Sequence, residues 1–372
     1  MTESKTLHCS SIVKRRLRDG IDVYDCGLGS NALAPPPVFY ELIKKYCHNY
    51  NYDSIFGNES LQHSLKNNFS SDNYKIKHTM VGHGLKEILF CFHMAYKGTI
   101  FHIVPKWVSY GEQSVLCNNN IINISVNRDT MKINPRELEF ALVQGNINRA
   151  ILFNNPVNPT GIVYTLEEIK EIAQVCKRTN TIIFADEIYM NLQHDTSFVS
   201  IAEFAPDITI RASSISKDFA AGGYRLGWAC YPASLQYIWK QMSRIGSSIY
   251  SCVSPVMQLA TAEILEMDHT EYFNTNRNYF KNLMEQAVNI LKETPLTFVK
   301  PSGAWYIFVN FEHVDLKINK TIEDFLLTKL DIVCLGGEHF GYNNNFIRFS
   351  IKNENSLHGL RVLKNFLNTN YS

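Results

Sequence analysis

Five short stretches of this chain are apolar almost without interruption: GTIFHIV, IINISV, RAILF, TIIFA and DITIRA, beginning at residues 98, 121, 149, 181 and 207. They are rich in β-branched residues and lack the strict polar alternation of a half-exposed strand. The pattern predicts strands of a parallel sheet covered on both faces. Between the third and fourth lies TLEEIKEIAQVCKR, where the spacing changes. Thr165 with Glu168 three residues on forms a capping box, and Leu166, Ile169, Ile172, Ala173 and Cys176 then fall on one helical face. Residues 149–185 therefore read as a strand, helix and strand crossover, nearly always right-handed. In open sheets of this kind ligands sit at the carboxyl ends of the strands.

Those strand ends carry unusual residues. RAILF runs into NNPVNPTG, a turn stiffened by prolines around Asn158; TIIFA runs into DEIY, with Asp186 at the strand end and Tyr189 three residues later; DITIRA runs into SSISKDFAAGGYRLGW, with Lys217 and Arg225. Upstream, VGHGLKEILFCFHMA sets Gly82 and Gly84 at the mouth of a helix whose Leu85, Ile88, Leu89 and Phe92 keep helical spacing. Free N–H groups at a glycine-rich helix start suit an anion. Taken singly, each feature has an ordinary reading: a solvated loop lysine, an aspartate capping a helix, a turn asparagine, a core tyrosine.

Composition narrows the classes. The chain has 372 residues, 45% hydrophobic, long enough for a large and a smaller domain. Lys+Arg 36 against Asp+Glu 35 gives a formal charge of +1, which provides no global field toward nucleic acid or an anionic membrane. MTESKTLHCSSIVKRRLRDG lacks the apolar run of a signal sequence, and no later run has the length of a membrane span. The nine cysteines show no CxxC and no zinc-like spacing, so reduced core thiols and a cytoplasmic location are expected, with no metal.

Taken together, PKWVSYGE, FNNPVNPTGIVY, FADEIYMNL, SSISKDFAAGGYRLGW and FIRFS resemble, in order and spacing, the pyridoxal-phosphate (PLP) aminotransferases of fold type I, class I/II. The aspartate/aromatic subgroup is most alike, with histidinol-phosphate aminotransferases as relatives, and the likeness runs from about Gly27 to Arg348. It implies an α/β fold: a large domain with a mostly parallel sheet flanked by helices, over residues 45–281, and a smaller α/β domain built from 1–44 and 282–372. It also implies a homodimer and transamination between an amino acid and a 2-oxo acid, 2-oxoglutarate being the expected acceptor.

The resemblance assigns roles. Lys217 is the Schiff-base lysine and proton shuttle, Asp186 the carboxylate beside the pyridine nitrogen, and Asn158 with Tyr189 the partners of the phenolic oxygen. Trp107 stacks on the ring. Arg225, Ser214, Ser216 and the amides of Gly84, Leu85 and Lys86 cradle the phosphate, with Gly222 and Gly223 giving their loop backbone freedom. Tyr52 reaches the phosphate from a neighbouring subunit. Arg348 holds the substrate carboxylate, with Asn158 and the backbone of Gly29 nearby. A structural salt bridge would be the ordinary role for Arg348, and a buried core position that of Trp107 or Tyr52. The segment LGSNALAPPP departs from the family's proline and acidic pattern, so side-chain specificity stays open. So does outcome: the same lysine chemistry serves decarboxylases and β-lyases. A non-catalytic PLP-fold module is opposed by the complete residue set, and a dinucleotide-binding dehydrogenase by the missing third glycine in CGLGSN.

Overall fold

The computed structural model describes residues 5–144, 148–317 and 320–371, with the side chains of 5–7 left aside. Seven strands form the main sheet: β2 (His78–Gly82), β3 (Thr99–Val104), β4 (Asn120–Ser125), β5 (Arg149–Asn154), β6 (Thr181–Asp186), β7 (Thr209–Ser214) and β8 (Gly227–Tyr231). β1 (Tyr24–Asp25) precedes them. Their order is β2-β8-β7-β6-β5-β3-β4, and β8 alone among them runs against its neighbours. Each expected strand is present. The sheet is mostly parallel because helical crossovers bring the chain back to the same end of the sheet before each parallel strand, as between β5 and β6 through helix Leu166–Arg178.

That helix begins as the sequence predicts: the Thr165 side chain accepts from the Glu168 N–H at 3.3 Å, and Glu168 Oε2 accepts from the Thr165 N–H at 2.7 Å. Such caps are worth about 1 kcal/mol. Ile169, Ile172, Ala173 and Cys176 are buried, but Leu166 at the first turn is exposed. One sheet face packs Leu85, Ile88, Leu89 and Phe92 against Phe184 and Ile210. The opposite face packs Phe153 and Ile183 against Ile169 and Ile172.

Burial on both faces holds for β5, β6 and β7 and fails for β4, whose ends are exposed. β4 is an edge strand, and Ile121 and Ile122 are only partly covered, while Ile124 is buried. Apolar runs alone cannot separate edge from centre.

A second sheet joins β9 (Thr297–Phe298), β10 (Tyr306–Asn310), β12 (Leu335–Gly336) and β13 (Phe346–Ser350) in the order β12-β13-β10-β9. β1 pairs in parallel with β11 (Ile332–Val333), which ties the N-terminal segment to this part of the fold. Trp305, Ile307, Val309, Ile347 and Phe349 fill its core with Leu357, Leu360 and Leu363 of helix Glu354–Asn370. Helix Thr270–Lys292, one continuous element, leads into it and passes straight through position 281.

Candidate active site

The carboxyl ends of β5, β6 and β7 open on a cavity of about 530 Å³, within the range of small-molecule sites. Its walls include Gly29, Leu85, Lys86, Trp107, Asn158, Asp186, Tyr189, Lys217, Arg225 and Arg348, ten of the fourteen residues singled out from sequence. Gly84, Ser214 and Ser216 stand just behind this wall. Gly84 caps helix Leu85–Ala95 at φ +87, a conformation that favours glycine. A Cβ there would meet Arg225 Nη2 at 2.5 Å and push the guanidinium from its place. Ser214 Oγ accepts from the Ser216 N–H at 3.1 Å and caps the short turn Ile215–Asp218. Tyr52 lies outside the cavity and is 90% exposed.

Arg225 donates to the carbonyls of His83 and Gly222, each at 2.6 Å, which lays its guanidinium beside the N-terminus of helix Leu85–Ala95. Cationic fork and free helix N–H groups thus meet at one spot, an anion cradle. The glycine reading of this loop needs correction. Gly222 and Gly223 form a turn of helical type with ordinary φ; Ala220 and Arg225 carry the positive φ values instead, +53 and +59. Gly223 faces open space and Gly222 would find only loose contacts for a Cβ, so backbone freedom is not why they are glycines.

At the cavity floor Asp186 is buried at the end of β6. Tyr110 Oη donates to Asp186 Oδ2 at 2.5 Å and the Ile188 N–H donates to Oδ1 at 3.2 Å. Burial nonetheless pushes its pKa up to about 6, against the pull of these two hydrogen bonds. Lys217, walled by protein on the cavity side of the sheet, is driven the other way. Burial first, and the nearby Arg348 and Arg225 charges next, lower its pKa to about 8. Its Nζ donates to the Gly29 carbonyl. An amine that sheds its proton near neutrality is the nucleophile and base that carbonyl chemistry needs.

Arg348, in the middle of β13, is 1% exposed. It donates to Asn158 Oδ1 at 3.2 Å and to the Gly27 carbonyl, and lies against the rings of Tyr306 and Phe340. None of these partners is a carboxylate. Lys86 Nζ sits 5.3 Å over the Trp107 ring.

Three contributors escape sequence reasoning. Tyr110 belongs to the quoted motif PKWVSYGE, but its partner lies 76 positions away. Tyr306 lines the cavity and shares a 2.7 Å hydrogen bond with the Tyr189 hydroxyl. Lys352 pairs with Asp25 at 2.6 Å and donates to the Leu28 carbonyl at 3.1 Å, holding the N-terminal segment in place. An aromatic in a strand and a lysine after one carry no local sign of these tasks.

The donor set suits one cofactor. A phosphate fits the cradle of Arg225 and the helix N-terminus; an aldehyde fits Lys217; a protonated ring nitrogen fits Asp186, a buried carboxylate whose protein partners are neutral donors. Fold and site together define a PLP-dependent transferase of fold type I. Comparison with known proteins agrees. The family model for aminotransferase class I and II matches residues 48–363. The chain is 28% identical to a probable aspartate/prephenate aminotransferase of Aquifex aeolicus, across 98% of this chain and 96% of that one. It is likewise 28% identical to an aspartate aminotransferase of Bacillus sp. (strain YM-2), across 92% and 90%. The solved aspartate aminotransferase from Thermus thermophilus with maleate superposes with a TM-score of 0.89 at 23% identity, covering 99% and 97%. The chain belongs to the class I and II aminotransferases and is a PLP-dependent transaminase acting on amino and 2-oxo acids. No helix among the described residues is long and apolar enough to cross a membrane.

Proposed function

We propose that this enzyme moves the amino group of an L-amino acid of the aspartate type to 2-oxoglutarate. The observation that carries the reading is the convergence of Lys217, Asp186 and Arg348 on one cavity from three separate places: the turn after β7, the end of β6 and the middle of β13. The donor class takes its support from the names of relatives at 26–28% identity. The bound cofactor supplies an electron sink for the pair released at Cα. Everything else falls to the protein. Arg348 grips the α-carboxylate with its forked donors and thereby turns the Cα–H bond toward Lys217. Lys217 Nζ, whose pKa of about 8 leaves part of it neutral near physiological pH, would serve as the base that takes the Cα proton. Asp186 holds a proton on the ring nitrogen, while Asn158 and Tyr189 hold the ring oxygen. Trp107 covers the ring face. Arg225, Ser214, Ser216 and the amides of Leu85 and Lys86 would hold the phosphate, joined by the Gly84 amide once it leaves the Gly82 carbonyl to which it donates at 2.7 Å.

The protein is further proposed to work as a cytoplasmic homodimer, Tyr52 reaching the neighbouring subunit's phosphate. Its 90% exposure, away from its own cavity, supports an outward role. The division into 45–281 and a smaller unit of 1–44 with 282–372 draws support from the β1–β11 pairing, with helix Thr270–Lys292 shared across the boundary.

The test is a half-reaction screen of the PLP form with single amino acids, followed by product analysis. A transaminase yields a 2-oxo acid and pyridoxamine phosphate. Carbon dioxide in proportion to turnover would instead mark a decarboxylase, the second outcome the same lysine permits. Borohydride reduction and peptide mass analysis should place the phosphopyridoxyl group on Lys217; another lysine would overturn the assignment.

A further inference from the structure

Residues 27–34 run along the cavity as a strap, with Leu28, Gly29 and Ser30 in its wall, and the contacts of this strap fall into two kinds. The Gly27 and Gly29 carbonyls accept from Arg348 and Lys217, whose donors are also claimed by substrate and cofactor. The second kind involves no such group. Asn31 Nδ2 donates to the main-chain carbonyl of Lys217 at 2.8 Å, while its Oδ1 accepts from the Leu33 N–H at 2.9 Å. The Tyr272 hydroxyl donates to the Ala34 carbonyl at 2.9 Å.

We infer that Asn31 is a positioning residue for transamination: it fastens the strap to the backbone of Lys217, so the strap keeps its place while the Lys217 and Arg348 side chains change partners. A side-chain amide suits this task because one end donates while the other accepts. Aspartate accepts only, and alanine does neither. The anchor point is itself fixed. The Lys217 carbonyl closes its turn by accepting from the Ala220 N–H at 3.2 Å. Behind that turn, Asn191 Nδ2 holds the buried Asp218 carboxylate at 2.9 Å. Two asparagines thus bracket the lysine, one gripping its own carbonyl and the other the next residue's side chain. The Lys217 side chain swings from a backbone held on both sides, and the strap moves with that backbone.

The inference rests on the transaminase reading for its purpose, whereas the fastening is measured without it. Hydrogen–deuterium exchange on the cofactor-free protein compares wild type with Asn31→Ala and Asn31→Asp. Breaking the tether should speed exchange of the 28–34 backbone, Leu33 aside, about tenfold in both variants, the worth of one hydrogen bond. Asn31→Asp should keep protection at Leu33, whose acceptor survives. In the PLP form, KM for amino and 2-oxo acid should rise about tenfold with kcat within about threefold. Exchange unchanged in Asn31→Asp overturns the tether, and a fall in kcat with KM unchanged overturns the positioning role. Asn31→Asp is nearly isosteric, so it carries the test if the alanine variant fails to fold. Tether-dependent exchange in a protein that transaminates nothing would support the fastening and refute only the activity it serves.

Discussion

Asp186 and Glu187 are neighbours, both buried, and live in opposite electrostatic circumstances. Glu187 turns away from the cavity. Its carboxylate pairs with Arg211 Nε at 2.8 Å and accepts from Ser200, while Arg211 lies against the rings of Phe69 and Tyr74 and donates to the Phe69 carbonyl. Every charge there has its opposite. Asp186 faces the cavity with neutral partners, and across from it Arg348 likewise meets carbonyls and rings. Two buried arginines, Arg211 on β7 and Arg348 on β13, divide in the same way. A closed pair holds shape; one-sided buried charges lining a cavity mark chemistry, because they are compensated by what binds.

The comparison can be broken at its reactive end first. Arg348→Leu should lower kcat/KM by about 100-fold to several thousand-fold, roughly 3 to 5 kcal/mol, with PLP still bound and with Lys a poor substitute. Urea unfolding of the same variant should show little loss of stability, since no buried carboxylate is abandoned. Steady-state kinetics and absorbance of the bound cofactor check both halves.

At the closed end the signs reverse. Arg211→Met strands the Glu187 charge and should cost about 3 to 5 kcal/mol in urea unfolding, while kcat/KM per folded molecule stays within about threefold. Adding Glu187→Gln should recover much of that loss, because the stranded charge goes with it. Full activity loss in folded Arg211→Met would merge the two centres into one.

Smaller still is Tyr110→Phe. Its hydrogen bond works against burial at Asp186, so removing it should raise that carboxyl above its value of about 6. Activity should fall about tenfold at neutral pH, and the acid limb of the kcat/KM profile should move to higher pH.

Lys217 supplies the gentlest test. Its folded pKa of about 8 lies below the ordinary lysine value of 10.5, so between these pH values the unfolded chain binds the extra proton and stability rises with pH. Cofactor-free protein should gain stability across that window, and Lys217→Met should abolish the gain. Capture of PLP by the wild type should accelerate about tenfold per pH unit up to about 8 and then level off, because the neutral amine is the reacting form.

Much of this was readable in the chain. Strands β3 and β5 to β7 announce themselves because burial on both faces leaves continuous apolar runs, and the chemistry sits where those runs stop. What escaped depends on partners distant in sequence. Tyr110 matters through Asp186, Tyr306 through Tyr189, and Lys352 through Asp25 and Leu28. Local spacing holds no trace of contacts made by folding. The glycines misled for a related reason: Gly222 and Gly223 look like a flexible hinge, yet the left-handed residues of that loop are Ala220 and Arg225. Only backbone geometry separates a small residue from a strained one.

Gly29 limits how this enzyme's substrate preference can drift. A Cβ at that position would stand 2.2 Å from the Tyr306 hydroxyl, so no side chain can be introduced there without displacing the aromatic that binds Tyr189. Its neighbours Leu28 and Ser30 both line the cavity. Within this stretch the heritable variation that reshapes the pocket is therefore channelled through positions 28 and 30, with 29 as the immovable link between them, and a mutant library aimed at new substrates should spend its diversity accordingly.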